Sequence, residues 1–202
     1  MLKTKINKIE NDWKDVKNKC RTTINKEHTD NIPSSEFKQK ILISEHSPIR
    51  LIKVNWMWKN IKSWVSVHFC RHHIGIEKWI STQRTDRTGI NRDELPQGNF
   101  VTMEAEANAQ ALINIARVRL CYQASKETRE YMEDLKLAIK QHEPELADVL
   151  VPNCIYRCGC SEFNSCGFWD KFKEKYNKDE LTDIIKRYKL YNNEFYQNKG
   201  GI

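Results

Sequence analysis

The sequence predicts an α+β fold in which a mixed or antiparallel sheet is flanked by helices. Most of the chain shows helix-like spacing of its apolar residues, whereas residues 52–58 alternate between apolar and polar like a half-buried strand. A length of 202 residues suits one domain, which can bury a core without disulfides or metals. We expect a main domain over residues 1–150, followed by a Cys-rich segment and a helical tail over 151–202.

The first predicted elements are two helices. Residues 11–25 place apolar side chains near one helical face, with Asn11 as the candidate cap. Pro33 interrupts the chain, after which Ser34 or Ser35 caps a second helix.

Strand-like patterns follow. The alternation over 52–58 is the clearest, and residues 76–84 alternate more weakly. Residues 61–70 fit a helix or a strand equally well. Glycine and proline make 85–100 a predicted loop.

Helices dominate the second half of the chain. A helical pattern runs over 108–120, and Ser125 caps a helix that reaches His142. Residues 145–150 add a turn or two. We expect an irregular segment over 152–169 and a charged, Tyr-rich helical tail over 171–196.

Composition argues against a disordered or membrane-spanning chain. Aromatic residues make up 10% of the sequence, too many for a chain that cannot collapse, although mean hydropathy is −0.74. No apolar run approaches the ~20 residues of a membrane span, and no signal peptide is readable. With an odd number of seven cysteines, these features predict a cytoplasmic protein with reduced thiols and no membrane partner.

The net charge of +7 suits a partner that carries phosphate. It does not choose between a nucleic acid and a small nucleotide. Lysine is concentrated at 3–40 and 171–199, which also fits solvated ends with no specific ligand.

The first candidate anion site is basic. Arg71, His72 and His73 stand in a row before the second strand, with Ser81 and Arg84 beyond them. Arginine offers a fixed fork of donors, and histidine adds charge or a hydrogen bond near neutral pH. In an extended segment Arg71 and His73 would share a face, and His72 would point the other way. A surface cluster without a ligand is the alternative.

The second candidate is the stretch 119–129. If Ser125 caps a helix, Arg129 lies in its first turns and Glu127 complements the helix dipole. Taken alone, this stretch is best explained as an ordinary charged helix surface.

Together the two motifs resemble the flavin-dependent thymidylate synthases. The family signature Arg-His-Arg-x-x-Ser-x-Asn-Glu-x-Ser-x-Arg-Tyr is similar to residues 71–84, with Arg84 one place beyond the signature arginine. The family motif Ala-Gln-x-Glu-Ile-Arg is similar to 124–129, where Ser125 and Thr128 replace Gln and Ile. The resemblance covers about residues 40–150, and smaller matches in the same order are Glu45-His46, Arg92 to Pro96 and Asn108 to Gln110.

This resemblance implies the ThyX-like, thymidylate synthase-complementing fold with a Cys-rich, helical C-terminal extension. It also implies a homotetramer with active sites at subunit interfaces. Such an enzyme binds FAD and dUMP, uses NADPH and methylenetetrahydrofolate, and makes dTMP. Arg129 would bind the uracil ring and stabilise its developing charge. The implied dUMP-binding residues are Ser81, Arg84, Arg129 and Lys62, the last a point charge near the family's upstream arginine. The implied FAD-binding residues are Arg71, His72, His73, Asn108 and Gln123.

The chain departs from the signature at four internal positions, and the Arg-Tyr ending of the signature is shifted. His73 replaces an arginine, and Ile76, Lys78 and Trp79 stand where the family has Ser, Asn and Glu. Trp79 could stack on a flavin or a base, although an aromatic residue on a strand is more often core.

Two alternatives to a thymidylate synthase stay open. One is a related flavin-dependent enzyme that places another one-carbon group, such as hydroxymethyl, on C5 of a pyrimidine nucleotide. The other is a catalytically inactive ThyX-like protein that binds nucleotides or nucleic acid.

Four cysteines within 13 residues form the remaining candidate site. Cys154, Cys158, Cys160 and Cys166 could close around zinc as an all-thiolate tetrahedral site. Their spacing is irregular and contains no Cys-x-x-Cys, so buried or free reduced thiols are the favoured alternative.

Overall fold

The computed structural model describes residues 3–199, which divide into two compact units. The first unit comprises residues up to 32 and 47–111, and the second comprises 33–46 and 112 onwards. The predicted α+β class is confirmed. The domain boundary predicted at residue 150 stays a prediction; within the second unit, helices from both sides of that residue pack together.

The first unit is built on a four-stranded antiparallel sheet. Its strand order is β1-β2-β4-β3, with register shifts at Ile6/Lys8 and at Trp58/Ile61. The strands are β1 (Thr4–Glu10), β2 (Lys53–Lys62), β3 (Ile76–Ile80) and β4 (Phe100–Asn108).

Alternating burial explains why β2 is a strand. Val54, Trp56 and Trp58 are buried on one face, as the sequence pattern predicts. Trp58 packs on Phe69 with ring centroids 4.7 Å apart, and its Nε1 donates to Thr4 Oγ1 at 2.7 Å. One tryptophan therefore links β1, β2 and the helix that carries Phe69.

Helices complete both units. The first unit contains α1 (Trp13–Thr22), α3 (Ser63–Cys70) and α4 (Thr85–Thr88), with short 3-10 helices at Ser47–Leu51 and Arg92–Glu94. Helix α5 (Ala109–Arg119) begins in the first unit and continues into the second. The second unit contains α2 (Ser35–Ile43), α6 (Lys126–Lys140), α7 (Pro144–Val149), α8 (Asn153–Arg157), α9 (Phe168–Lys173), α10 (Lys178–Thr182) and α11 (Ile184–Asn198). None of the helices within residues 3–199 is long and apolar enough to cross a membrane.

Several predicted boundaries are corrected. Asp12 caps α1, not Asn11, whereas Ser34 caps α2 as predicted. The ambiguous segment 61–70 ends β2 and then forms α3. The predicted helical tail over 171–196 is divided into separate helices, because the side chain of Asn177 caps α10 and that of Asp183 caps α11.

A fully buried lysine lies in the core of the second unit. Lys136 of α6 donates from Nζ to Leu150 O at 2.7 Å and to Asn192 Oδ1 at 2.6 Å. The rings of Tyr191 and Phe195 lie about 5 Å from the ammonium nitrogen. Burial lowers the pKa of Lys136 to about 7, against a smaller opposing effect of the Asp148 carboxylate.

We expect this lysine to make stability rise with pH. Its pKa is about 7 in the folded chain, whereas an ordinary exposed lysine has a pKa of 10.5, so between these values the unfolded chain binds a proton that the folded chain does not. The free energy of unfolding should therefore gain up to about 1.4 kcal/mol per pH unit from this residue, and the penalty is complete below pH 7. Burial raises the pKa of Cys154 from 9.0 to about 12, which acts in the opposite direction at higher pH.

The test uses urea unfolding between pH 7.0 and 8.5, and the contribution of Cys154 cancels in the difference between wild type and a Lys136 variant because both proteins carry this thiol. Lys136→Met cannot titrate, so the difference between wild type and variant isolates the lysine. We expect that difference to change by about 1–2 kcal/mol across the range. A constant difference would contradict the assignment.

Candidate active site

A cavity in the second unit surrounds Arg129. Ser125 caps α6 as predicted, with its Oγ accepting from the backbone of Thr128, and Arg129 follows in the first turn. The cavity has a volume of about 400 Å³. Its side chains are Leu120, Tyr122, Lys126, Arg129, Glu130, Glu133, Phe168, Tyr191, Glu194, Phe195, Asn198 and Lys199.

Arg129 is held between a ring and a carboxylate. Its guanidinium carbon lies 4.2 Å from the ring centroid of Tyr122, and Nε donates to Glu133 Oε1 at 3.3 Å. Lys199 Nζ donates to the other oxygen of Glu133 at 2.7 Å. The side chains of Arg129 and Glu133 are only 16% and 11% exposed. Because the contact with Glu133 uses Nε, the terminal nitrogens are available as donors for a ligand as far as residues 3–199 are concerned.

The cavity chemistry suits a flat ring. Tyr122 stacks on Phe168 with ring centroids 5.0 Å apart and planes 15° apart, which gives an aromatic wall beside the guanidinium. The cations Lys126, Arg129 and Lys199 are balanced by Glu130, Glu133 and Glu194. This balance favours a neutral ring with hydrogen-bond acceptors over a phosphate group.

The basic row is arranged differently from the prediction. Arg71 ends α3 in a helical conformation, and β3 begins only at Ile76, so residues 71–73 are not an extended segment. The expectation that Arg71 and His73 share a strand face is therefore wrong. Lys78 donates to the backbone carbonyl of His72, and His73 Nδ1 lies 3.2 Å from Arg71 O.

Ser81 and Arg84 follow β3 within the first unit. Ser81 Oγ accepts from Thr102 N at 2.9 Å. Arg84 donates from Nε and Nη2 to the two carboxylate oxygens of Asp86 at 3.0 and 2.8 Å, in the exposed α4 region. A phosphate bound by Arg84 would have to compete with Asp86. Lys62 Nζ lies 5.7 Å from the ring centroid of Trp64.

The remaining predicted FAD contacts have structural partners. Asn108 Oδ1 accepts from Ala111 N at 2.9 Å at the start of α5. Gly75 has φ +70°, and a Cβ there would come within 2.5 Å of Asn108 Nδ2, so glycine is required for this approach. Gln123 Nε2 donates to Asn164 O at 2.6 Å.

The predicted cysteine set is corrected. Cys158 has a left-handed backbone at the end of α8, and its Sγ donates to Leu181 O at 3.3 Å. A small cavity is instead lined by Cys121, Cys154, Cys160 and Cys166. Within residues 3–199, no group of three or more His, Cys, Asp or Glu side chains is arranged to hold a metal ion.

Sequence reasoning missed the surroundings of Arg129. Glu133 follows Arg129 by four residues, a spacing that places both side chains on one helix face and could have revealed the pair. Lys199 and Phe168 are distant in sequence and gave no such signal. Trp79 is 54% exposed opposite Glu104, so its interpretation as a core residue is wrong.

Comparisons with known proteins support the fold. No family model matches this sequence, and no curated protein sequence matches it. The UMP/dUMP methylase PolB from Streptomyces cacaoi, bound with 5-Br dUMP, is 13% identical with a TM-score of 0.58, over 72% of this chain and 93% of that chain. The flavin-dependent thymidylate synthase ThyX from Helicobacter pylori, complexed with FAD and dUMP, is 12% identical with a TM-score of 0.61, over 74% of this chain and 99% of that chain. This chain therefore has the fold of these two structures, as the sequence predicts.

Proposed function

We propose that this protein is a flavin-dependent thymidylate synthase that converts dUMP to dTMP. The observation that carries the proposal is the cavity in which Arg129 lies between the Tyr122 ring and the Glu133 carboxylate. Two solved structures with this fold are bound to dUMP or 5-Br dUMP, which supports a pyrimidine nucleotide as the substrate.

Arg129 acts on the uracil ring in this proposal. A guanidinium fixed by Glu133 needs no reorganisation when negative charge develops on a ring oxygen, so it lowers the barrier without moving a proton. The rings of Tyr122 and Phe168 displace water from one side of the guanidinium, which strengthens this interaction. Ser81, Arg84 and Lys62 are assigned to the dUMP phosphate.

FAD is the proposed cofactor, with NADPH and methylenetetrahydrofolate as co-substrates. Arg71, His72 and His73 offer a partly exposed set of hydrogen-bond donors, with the positive charge of Arg71, whose chemistry fits a pyrophosphate. Asn108 and Gln123 are assigned to the same cofactor. When bound, the flavin supplies the hydride chemistry, and the protein positions it. The homotetramer and the cytoplasmic location stay predictions.

A related reaction is the second candidate. One structure with this fold is a UMP/dUMP methylase, and this chain carries Ile76, Lys78 and Trp79 in place of three signature residues. These observations favour testing transfer of another one-carbon group, such as hydroxymethyl, to C5 of a pyrimidine nucleotide.

The test begins with the absorbance spectrum of the purified protein, with and without added FAD and dUMP. We expect a flavin band that is perturbed by dUMP and weakened in Arg71→Ala, with Arg50→Ala, another exposed arginine of the first unit, as the matched control. Incubation with dUMP, methylenetetrahydrofolate and NADPH should add one methyl group in place of hydrogen. A product heavier by one further oxygen would support the hydroxymethyl alternative. A colourless protein that ignores FAD and binds oligonucleotides with steep salt dependence would refute the enzyme proposal.

A further inference from the structure

Four cysteine side chains from different segments line the small cavity of the second unit. Cys121 comes just after α5, Cys154 lies on α8, and Cys160 and Cys166 lie on the irregular segment between α8 and α9. The cavity volume is about 10 Å³. This is room for about one water-sized sphere.

The other residues that line this cavity indicate a site for a metal ligand set and not a site of reactive thiols. They are Tyr122, Pro152, Asn153, Ser161, Glu162, Phe168 and Trp169, and they include no Lys, Arg or His. Reactive cysteines lie beside cationic groups that stabilise the thiolate, and nothing in this lining does so. The lining instead offers four thiols, which are soft metal ligands, beside the carboxylate of Glu162. No positively charged side chain balances these groups in the lining, so a metal cation could do so. Cys121 Sγ lies 3.9 Å from Glu162 Oε1.

We propose that Cys121, Cys154, Cys160 and Cys166 bind one Zn²⁺ ion as a tetrathiolate site. Thiolates select zinc among the common cations, and a cavity for a single ion disfavours an iron–sulfur cluster. Each thiol loses its proton to solvent as its bond to the metal forms. Cys158 is excluded because it does not line the cavity, and its Sγ donates instead to Leu181 O.

Zinc binding would gather the thiols more closely than they lie in this structure, where the described residues hold no ready-made metal group. Cys121 and Cys154 are partly buried next to helices, whereas Cys160 and Cys166 are exposed on a segment without regular structure. The metal would therefore draw this segment onto the helices. Four thiolates leave no open position, so the site is structural.

The site has a consequence for the neighbouring cavity. Tyr122 and Phe168 line both cavities, and Tyr122 is the ring on which Arg129 packs. Ordering the thiol segment would thus fix one wall of the Arg129 cavity. The zinc proposal itself does not depend on the proposed function.

Elemental analysis of the full chain tests the proposal. We expect about one zinc per chain in the wild type and in Cys158→Ser, and at least about 10-fold weaker zinc affinity in Cys166→Ser and Cys154→Ser. Cys166 is exposed, so its variant separates metal loss from misfolding, which thermal unfolding without metal would check. Cobalt(II) substitution should give the visible bands of tetrahedral thiolate ligation in the wild type. Absence of zinc, iron with acid-labile sulfide, or equal loss in Cys158→Ser would overturn the proposal.

Discussion

Arg129→Ala should lower kcat by about 10²–10³ while the fold is kept. This prediction follows from the proposed function, in which the guanidinium faces the charge that develops on the uracil ring. Alanine removes that donor, and water entering the cavity cannot replace a donor already fixed in position. Because the loss is confined to the transition state, kcat should fall more than the affinity for dUMP.

The fold should survive because Glu133 keeps a partner. Its second carboxylate oxygen accepts from Lys199 at 2.7 Å, so removing Arg129 does not leave a buried charge alone. Steady-state kinetics and thermal unfolding of the same preparations measure the two effects separately. Arg157→Ala, an exposed arginine of the second unit bonded to Asn153, is the matched control and should retain activity. Full activity in Arg129→Ala would refute the role assigned to this arginine.

The elements that sequence predicts well here are those with a local cause. Helix α6 was predictable because Ser125 caps it and its buried stripe repeats at helical spacing.

Strand β4 was missed although Val101, Met103 and Ala107 alternate in burial. Its alanines and glutamates also suit a helix, and pairing with β2 and β3 decides the outcome. Strand β1 was missed because a register shift after Ile6 breaks its alternation.

The candidate site residues likewise divide into those with a local sequence signal and those brought together only by tertiary packing. The spacing within 124–129 was enough to place Arg129 near the start of the helix that Ser125 caps, because a cap and its helix are close in the chain. Its role came only from the resemblance to the family motif. The thiol cavity was not predictable in full, because Cys121 and Cys154 are separated by 33 positions and meet only through tertiary packing. The left-handed turn at Cys158 removes a cysteine that spacing alone would include.

Arg187→Ala should lower the free energy of unfolding by about 3–5 kcal/mol, the largest stability effect that we expect. Arg187 is 4% exposed, and its guanidinium donates to four backbone carbonyls of the second unit. Nε reaches Ile155 O at 2.6 Å, Nη2 reaches Tyr156 O at 3.1 Å, and Nη1 contacts Leu181 O and Thr182 O.

These carbonyls belong to α8 and α10, each only five residues long. Such short helices are not stable alone, and the last carbonyls of a helix have no partner within it. Arg187 supplies the donors from α11, so alanine would remove the donor of Ile155 O, Tyr156 O and Thr182 O, whereas Leu181 O would keep the Cys158 thiol. Arg187→Lys has one donor group in place of the planar fork and should recover only part of the loss. Chemical denaturation measures the effect, with exposed Lys186→Ala as the control. A loss below about 1 kcal/mol in Arg187→Ala would mean that water or rearranged backbone satisfies these carbonyls as well as the guanidinium does.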